Sequence, residues 1–176
     1  LSSEFSSSVE LPGNSLTIRE SARTKLTEIL LSSRRLLVLV FMLVLFAGAV
    51  RSVTDPDFFW HLKTGQHIVE TGQIPHTDIF STVFLGREWI THEWLSEVFM
   101  YSVYRTLGLG GLILVFSLII TAGFWIAYQR CARRVGHPFV SGFALMLGAL
   151  TAAPTWGVRP QMFTFLFASV CVAVLG

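Results

Sequence analysis

The stretch Thr54-Asp55-Pro56-Asp57-Phe58-Phe59-Trp60-His61-Leu62-Lys63 gathers two carboxylates, an imidazole and an ammonium within a few turns of chain, directly after an apolar run. Charge beside hydrocarbon is costly enough that it usually serves a function. An Asp-x-Asp pair can hold a divalent cation or supply a general base, because two close oxygens suit a hard cation or raise one pKa. Asp55 and Asp57 are therefore candidate ligands for Mg or Mn as well as candidate catalytic acids. The plain alternative is that Asp55 caps a helix and Asp57 favours its dipole. On a helix Asp57 and His61 lie one turn apart on one face. A carboxylate orienting an imidazole is a general-base arrangement, and the same spacing also makes an ordinary surface pair.

A second group is His92, Glu93 and Glu97. His-Glu is the start of a zinc-protease motif, but the second histidine that motif needs is Ser96 here, so that chemistry is excluded. Glu93 and Glu97 share a helical face and could meet the first helix across a cleft, or form the solvated side of an interfacial helix. The third candidate is Arg159, at the outer end of an apolar run beside Pro160. A lone guanidinium there suits a lipid phosphate or pyrophosphate, or marks the interface by snorkelling. Trp60, Trp89, Trp94 and Trp156 fit an interfacial aromatic belt, with Trp60 or Trp89 also able to stack on a sugar ring. Arg159, Lys63, His92 and Glu93 are the candidate substrate-binding residues.

Composition sets the solvent for this chemistry. Of 176 residues, 52% are hydrophobic and 14% charged, with a mean hydropathy of +0.62. A soluble domain carries roughly a quarter charged residues, so the expectation is an integral membrane protein. A net charge of +2 without a dense basic run is too small to argue for a nucleic-acid partner, and none is expected. Cys131 and Cys171 lack metal-ligand spacing and imply no disulfide framework. Every acidic residue beyond Glu28 lies between residues 54 and 100, and no carboxylate follows Glu97. Every histidine except His137 lies in the same segment. Acid–base chemistry belongs there.

The elements that must position these groups follow from periodicity and punctuation. Residues 1–35 read as a Ser-rich disordered tail and a basic amphipathic helix, the latter opened by a Thr17–Glu20 capping box. The chain does not begin with Met, which suggests a processed, engineered or partial sequence. Residues 36–53 form a first span preceded by Arg34 and Arg35, placing the N-terminus in the cytoplasm. Residues 54–108 form an outer loop of two juxtamembrane helices. In the first, Asp55 is the expected cap, Pro56 the first helical position, and Gly72 the stop. The second, capped by Thr91 and running to Leu107, is short of the roughly 20 residues a span needs. Lying flat, it leaves Arg130, Arg133 and Arg134 inside after a span at 109–130. Spans at 138–154 and 160–176 follow, the last truncated. The predicted class is an all-α membrane protein with about four transmembrane helices.

Pro56-Asp57, the helix to Thr71, Gly72, Ile74-Pro75, the Trp94–Gly108 helix and the Arg130–Arg134 loop occur in an order that resembles the N-terminal module of GT-C class membrane glycosyltransferases. That group includes protein O-mannosyltransferases and aminoarabinose transferases. Over residues 36–176 the chain looks especially like bacterial members with an Asp-Pro-Asp-Phe-Trp-Trp-His-Leu type motif and a His-Glu-Trp-Leu helix. The resemblance implies transfer of a sugar from a polyprenyl-phosphate donor to an acceptor outside a bacterial inner membrane. Through Pro56, Asp57 matches the family's catalytic acid as general base, assisted by Asp55 or His61, with Arg159 near the lipid phosphate. The family's frequent Asp-Glu is Asp57-Phe58 here, and its members have more spans, so this is a fragment or a shortened relative. The alternative is a non-catalytic membrane subunit packed into a larger complex. Implied partners are the lipid-linked donor, membrane lipids and other membrane subunits.

Overall fold

The structure, a computed structural model, describes residues 33–175. The tail and amphipathic helix expected before residue 33 lie outside the described residues. Among the described residues the regular elements are helices: α1 (Ser33–Ala49), α2 (Phe58–Thr71), α3 (Trp94–Val135), α4 (Pro138–Ala152), a 3-10 turn (Ala153–Thr155) and α5 (Gln161–Leu175). The connector between α2 and α3 contains one isolated antiparallel bridge, Thr77 to Glu88, closed by Asp78 N–H to Arg87 O at 2.8 Å and Trp89 N–H to His76 O at 2.9 Å.

The helix boundaries follow local chemistry, with two departures from the expected pattern. Asp55 does not cap α2; the cap position is Asp57. Asp55 Oδ1 instead accepts the Asp57 N–H at 3.1 Å, an Asx turn that satisfies a donor one step before the helix. Pro56 is held in that turn, and the helical ladder begins with the His61 N–H on the Asp57 carbonyl at 3.1 Å. Likewise Thr91 does not cap α3. Its hydroxyl donates to the Pro75 carbonyl at 2.7 Å, tying the connector back on itself, and α3 starts at Trp94 with Glu93 in the cap position.

Helix α3 is one run of 42 residues with a break inside it, at Gly108, where φ is 69° and ψ is −172°. A side chain with a Cβ rarely adopts that φ, so glycine lets the chain change direction without strain. Trp94–Leu107 and the stretch from Leu109 are thereby separate straight pieces. Gly72 ends α2 as expected, its N–H bonding Ile68 O at 2.8 Å, and Gly136 ends α3 before the His137-Pro138 turn.

From Val40 onward the chain is one compact unit. Its core joins Phe41, Leu45 and Ala49 of α1 to Leu112, Phe116, Ile120 and Phe124 along one face of α3, with Trp156 and Val158 from the turn before α5 and Met162 from its first turn. The i, i+4, i+8 spacing on α3 makes that stripe. Phe163 meets Phe116 at 5.5 Å and Phe165 meets Phe124 at 5.0 Å, so α5 runs in the same direction as this part of α3. Two helical segments, Trp94–Val135 and Pro138–Thr155, are long and apolar enough to cross a membrane, while α1 and α5 are apolar but shorter. In Pro138–Thr155 17% of the apolar window is buried. Leu118, Phe143, Leu147, Phe167 and Val174 all point outward, each more than half exposed, as lipid-facing side chains do.

Candidate functional site

The acidic segment enters the fold through two contacts, each joining residues far apart in sequence. The first is an ion pair. Arg159 Nε lies 2.6 Å from Asp55 Oδ2, with the Asp55 side chain 10% and the Arg159 side chain 39% exposed. Asp55 lies in the segment between α1 and α2, and Arg159 sits in the Trp156–Pro160 turn that opens α5. That turn is fixed by buried Val158 and Trp156, and by Arg51, whose Nη1 donates to the Ala153 carbonyl at 2.9 Å. Both Asp55 oxygens are engaged, one by Arg159 and one by the Asp57 N–H. The crevice that these residues line holds about 40 Å³, room for about one water.

The second contact joins α2 to α3. His61 Nδ1 lies 3.0 Å from Glu97 Oε1 and 3.7 Å from Glu93 Oε2. This is possible because Gly65, one turn along α2, has no Cβ. Its Cα lies against the Glu97 backbone and Tyr101. Glu97 is buried, and its Oε2 has no hydrogen-bond partner among the described residues. Burial by itself lowers the His61 pKa. The Glu97 hydrogen bond and the charges of Glu97, Glu93 and Asp55 outweigh that, so the imidazole titrates above its ordinary value. With Nδ1 turned to a carboxylate, Nε2 is the nitrogen left for proton exchange.

The remaining candidates divide clearly. Asp57 is exposed, and its carboxylate has no hydrogen-bond partner among the described residues. It does not orient His61, whose ring is turned to Glu97 instead. Lys63 is exposed and bonds Gln66 Oε1 at 3.1 Å on the outer side of α2. His92 is 77% exposed, 3.8 Å from Glu93 and outside the His61–Glu97 contact. Trp60 and Trp89 pack on each other at 4.9 Å, with Phe80 at 5.3 Å from Trp60. Together they anchor the connector on α2. A cation between Asp55 and Asp57 would compete with Arg159 for Asp55 Oδ2, and among the described residues no three His, Cys, Asp or Glu side chains cluster as metal ligands.

Glu97 meets α2, as the face it shares with Glu93 allows, but local spacing does not name it as the partner of His61. The available signal is its place as the last carboxylate of the chain, one turn from Glu93 on an otherwise apolar helix. Compared with known proteins, the chain matches no protein family, no curated protein and no solved structure.

Proposed function

We propose that this chain carries the phosphate-binding and proton-accepting part of a GT-C-type membrane glycosyltransferase, which moves a sugar from a polyprenyl-phosphate donor to an acceptor at the outer membrane face. The observation that supports this best is the setting of Arg159. Asp55 holds its Nε, which fixes the guanidinium plane, while Nη1 and Nη2 make no hydrogen bond among the described residues. Two parallel N–H groups on a fixed plane match a phosphate. In the reaction the acceptor hydroxyl oxygen bonds to the anomeric carbon as the bond from that carbon to the phosphate oxygen breaks. The departing phosphate keeps the electron pair, and Arg159 stabilises it. Asp57, unpaired and exposed, takes the hydroxyl proton. Asp55 positions Arg159, and His61 with Glu97 forms a second proton-handling pair beside it.

The topology of this reading has α1, the part of α3 beyond Gly108, α4 and α5 crossing a bacterial inner membrane. Arg34, Arg35, Arg130, Arg133 and Arg134 lie on the cytoplasmic side. Helix α2 and Trp94–Leu107 lie along the outer surface. The ends that carry Asp55 and Arg159 then share one side, which is consistent with their ion pair.

A second reading, a non-catalytic subunit of a larger membrane complex, is favoured by one observation. The Asp55–Arg159 crevice has no room for a sugar, so any donor phosphate must reach Arg159 from its exposed edge. Activity of the full-length protein with a polyprenyl-phosphate sugar separates the two. Asp57→Asn should lower turnover by about a hundredfold or more, the usual loss for a general base. Arg159→Ala should raise the donor KM. Transfer by Asp57→Asn at the wild-type rate would remove the catalytic assignment.

A further inference from the structure

We propose that the cavity between the Arg130 end of α3 and α5 binds an anionic phospholipid, with the lipid phosphate on Arg130 and one acyl chain along the apolar wall. The cavity has a volume of about 680 Å³, and Ala127, Phe165, Ala168 and Val172 form its apolar side while Arg130 and Arg134 form its polar end. That is the volume of a small-ligand site. Arg130 Nη2 is buried there with no hydrogen-bond partner among the described residues. A guanidinium N–H withdrawn from water and left unpaired is costly, and an anion beside it removes the cost. The apolar wall asks for hydrocarbon next to that anion. A phosphate linked through glycerol to acyl chains supplies both, and basic pockets between membrane helices bind such headgroups. The carbonyl end of α3 repels an anion, so the attraction has to come from the arginine side chains. Because α5 runs alongside α3 in the same direction, this cavity lies at the opposite end of these helices from Arg159. Its failure would leave the transferase reading untouched.

Native mass spectrometry of the full-length protein, released from micelles containing either phosphatidylglycerol or phosphatidylcholine, tests this. Wild type should retain phosphatidylglycerol about tenfold more strongly, because the choline ammonium of phosphatidylcholine cancels the net charge that faces Arg130 and Arg134. Arg130→Gln should abolish that preference and Arg130→Lys should keep most of it. Ala168→Phe, which fills the apolar wall, should lower retention of both lipids. Equal retention of the two lipids by wild type would overturn the proposal. So would an unchanged preference in Arg130→Gln, or displacement of phosphatidylglycerol by an equal concentration of inorganic phosphate. Absence of any retained lipid, as expected if another stretch of chain fills the cavity, overturns it as well. Should Arg130→Gln not fold, the wild-type comparison and Ala168→Phe still decide.

Discussion

Replacing Gly65 with alanine adds one carbon where α2 and α3 approach most closely. That carbon would overlap the Glu97 carbonyl and sit 3.0 Å from Tyr101 Cβ. Neither neighbour is the free end of a flexible side chain, so the helices must part. On helix propensity alone the change stabilises by about 1 kcal/mol. Overpacking costs about 1–3 kcal/mol, and parting the helices breaks the His61–Glu97 hydrogen bond. The acceptor is the Glu97 carboxylate, and water reaches it once the helices part, so that bond takes the low end of the range for charged hydrogen bonds, about 1.5 kcal/mol. The net effect is a destabilisation of about 1.5–3.5 kcal/mol. For a protein of this size that lowers the melting temperature by about 5–10 °C. Intrinsic tryptophan fluorescence in detergent is the assay, and Trp60 and Trp89 lie beside the affected contact. Gly148→Ala in α4, where nothing lies within 4 Å of the added carbon, is the matched control and should not melt lower than wild type. If Gly65→Ala melts with that control, α2 and α3 do not approach this closely, and the pairing of His61 with Glu97 loses its support.

The remaining predictions concern charge and direction. His61 has a raised pKa in the folded protein, so the stability it contributes is full below its unfolded pKa of about 6.5 and is lost as pH rises through the folded value. The melting-temperature gap between wild type and His61→Gln should therefore shrink from pH 6 towards pH 9; a gap that widens would mean His61 is held neutral. A single cysteine placed at Arg133 should react with a membrane-impermeant maleimide from the cytoplasmic side only. Labelling from outside would mean that Trp94–Leu107 crosses the membrane and reverses every later helix.

What was legible in the sequence is mostly what single residues dictate. Gly72 ends α2 where the sequence places its stop, and α3 breaks at Gly108, between the expected helix end at Leu107 and the apolar run from Leu109. The apolar stripe of α3 follows from spacing. The capping of α2 was misplaced because both Asp55 and Asp57 can cap, and the choice depends on a third party. Once Asp55 is drawn to Arg159, its other oxygen is left to the Asp57 N–H, and the helix begins two residues later. No local pattern contains that, since the guanidinium comes from the far end of the fold. The His61–Glu97 contact was hidden for a related reason. Helical spacing pairs His61 with Asp57, and only the absent side chain of Gly65, which lets another helix close in, redirects the imidazole. A glycine inside a helix loses about 1 kcal/mol relative to alanine, so Gly65 was itself a signal of close approach, though not of what approaches.

Under the proposed transferase function, the two aspartates differ in how firmly each is held. A catalytic base must be free to change its partner during the reaction, and a positioning group must not. Asp55 is held at both oxygens, one by a charge and one by a backbone donor. Protonating or moving it would release Arg159 and disturb the first turn of α2 together. Asp57, on the exposed step between that turn and the helix, can accept a proton on its carboxylate without breaking any other interaction. Asp55→Asn should accordingly act through Arg159, raising the donor KM as Arg159→Ala does, while Asp57→Asn acts on turnover. If both substitutions fell on turnover alone, the division of labour between the two carboxylates would be wrong, whatever the reaction.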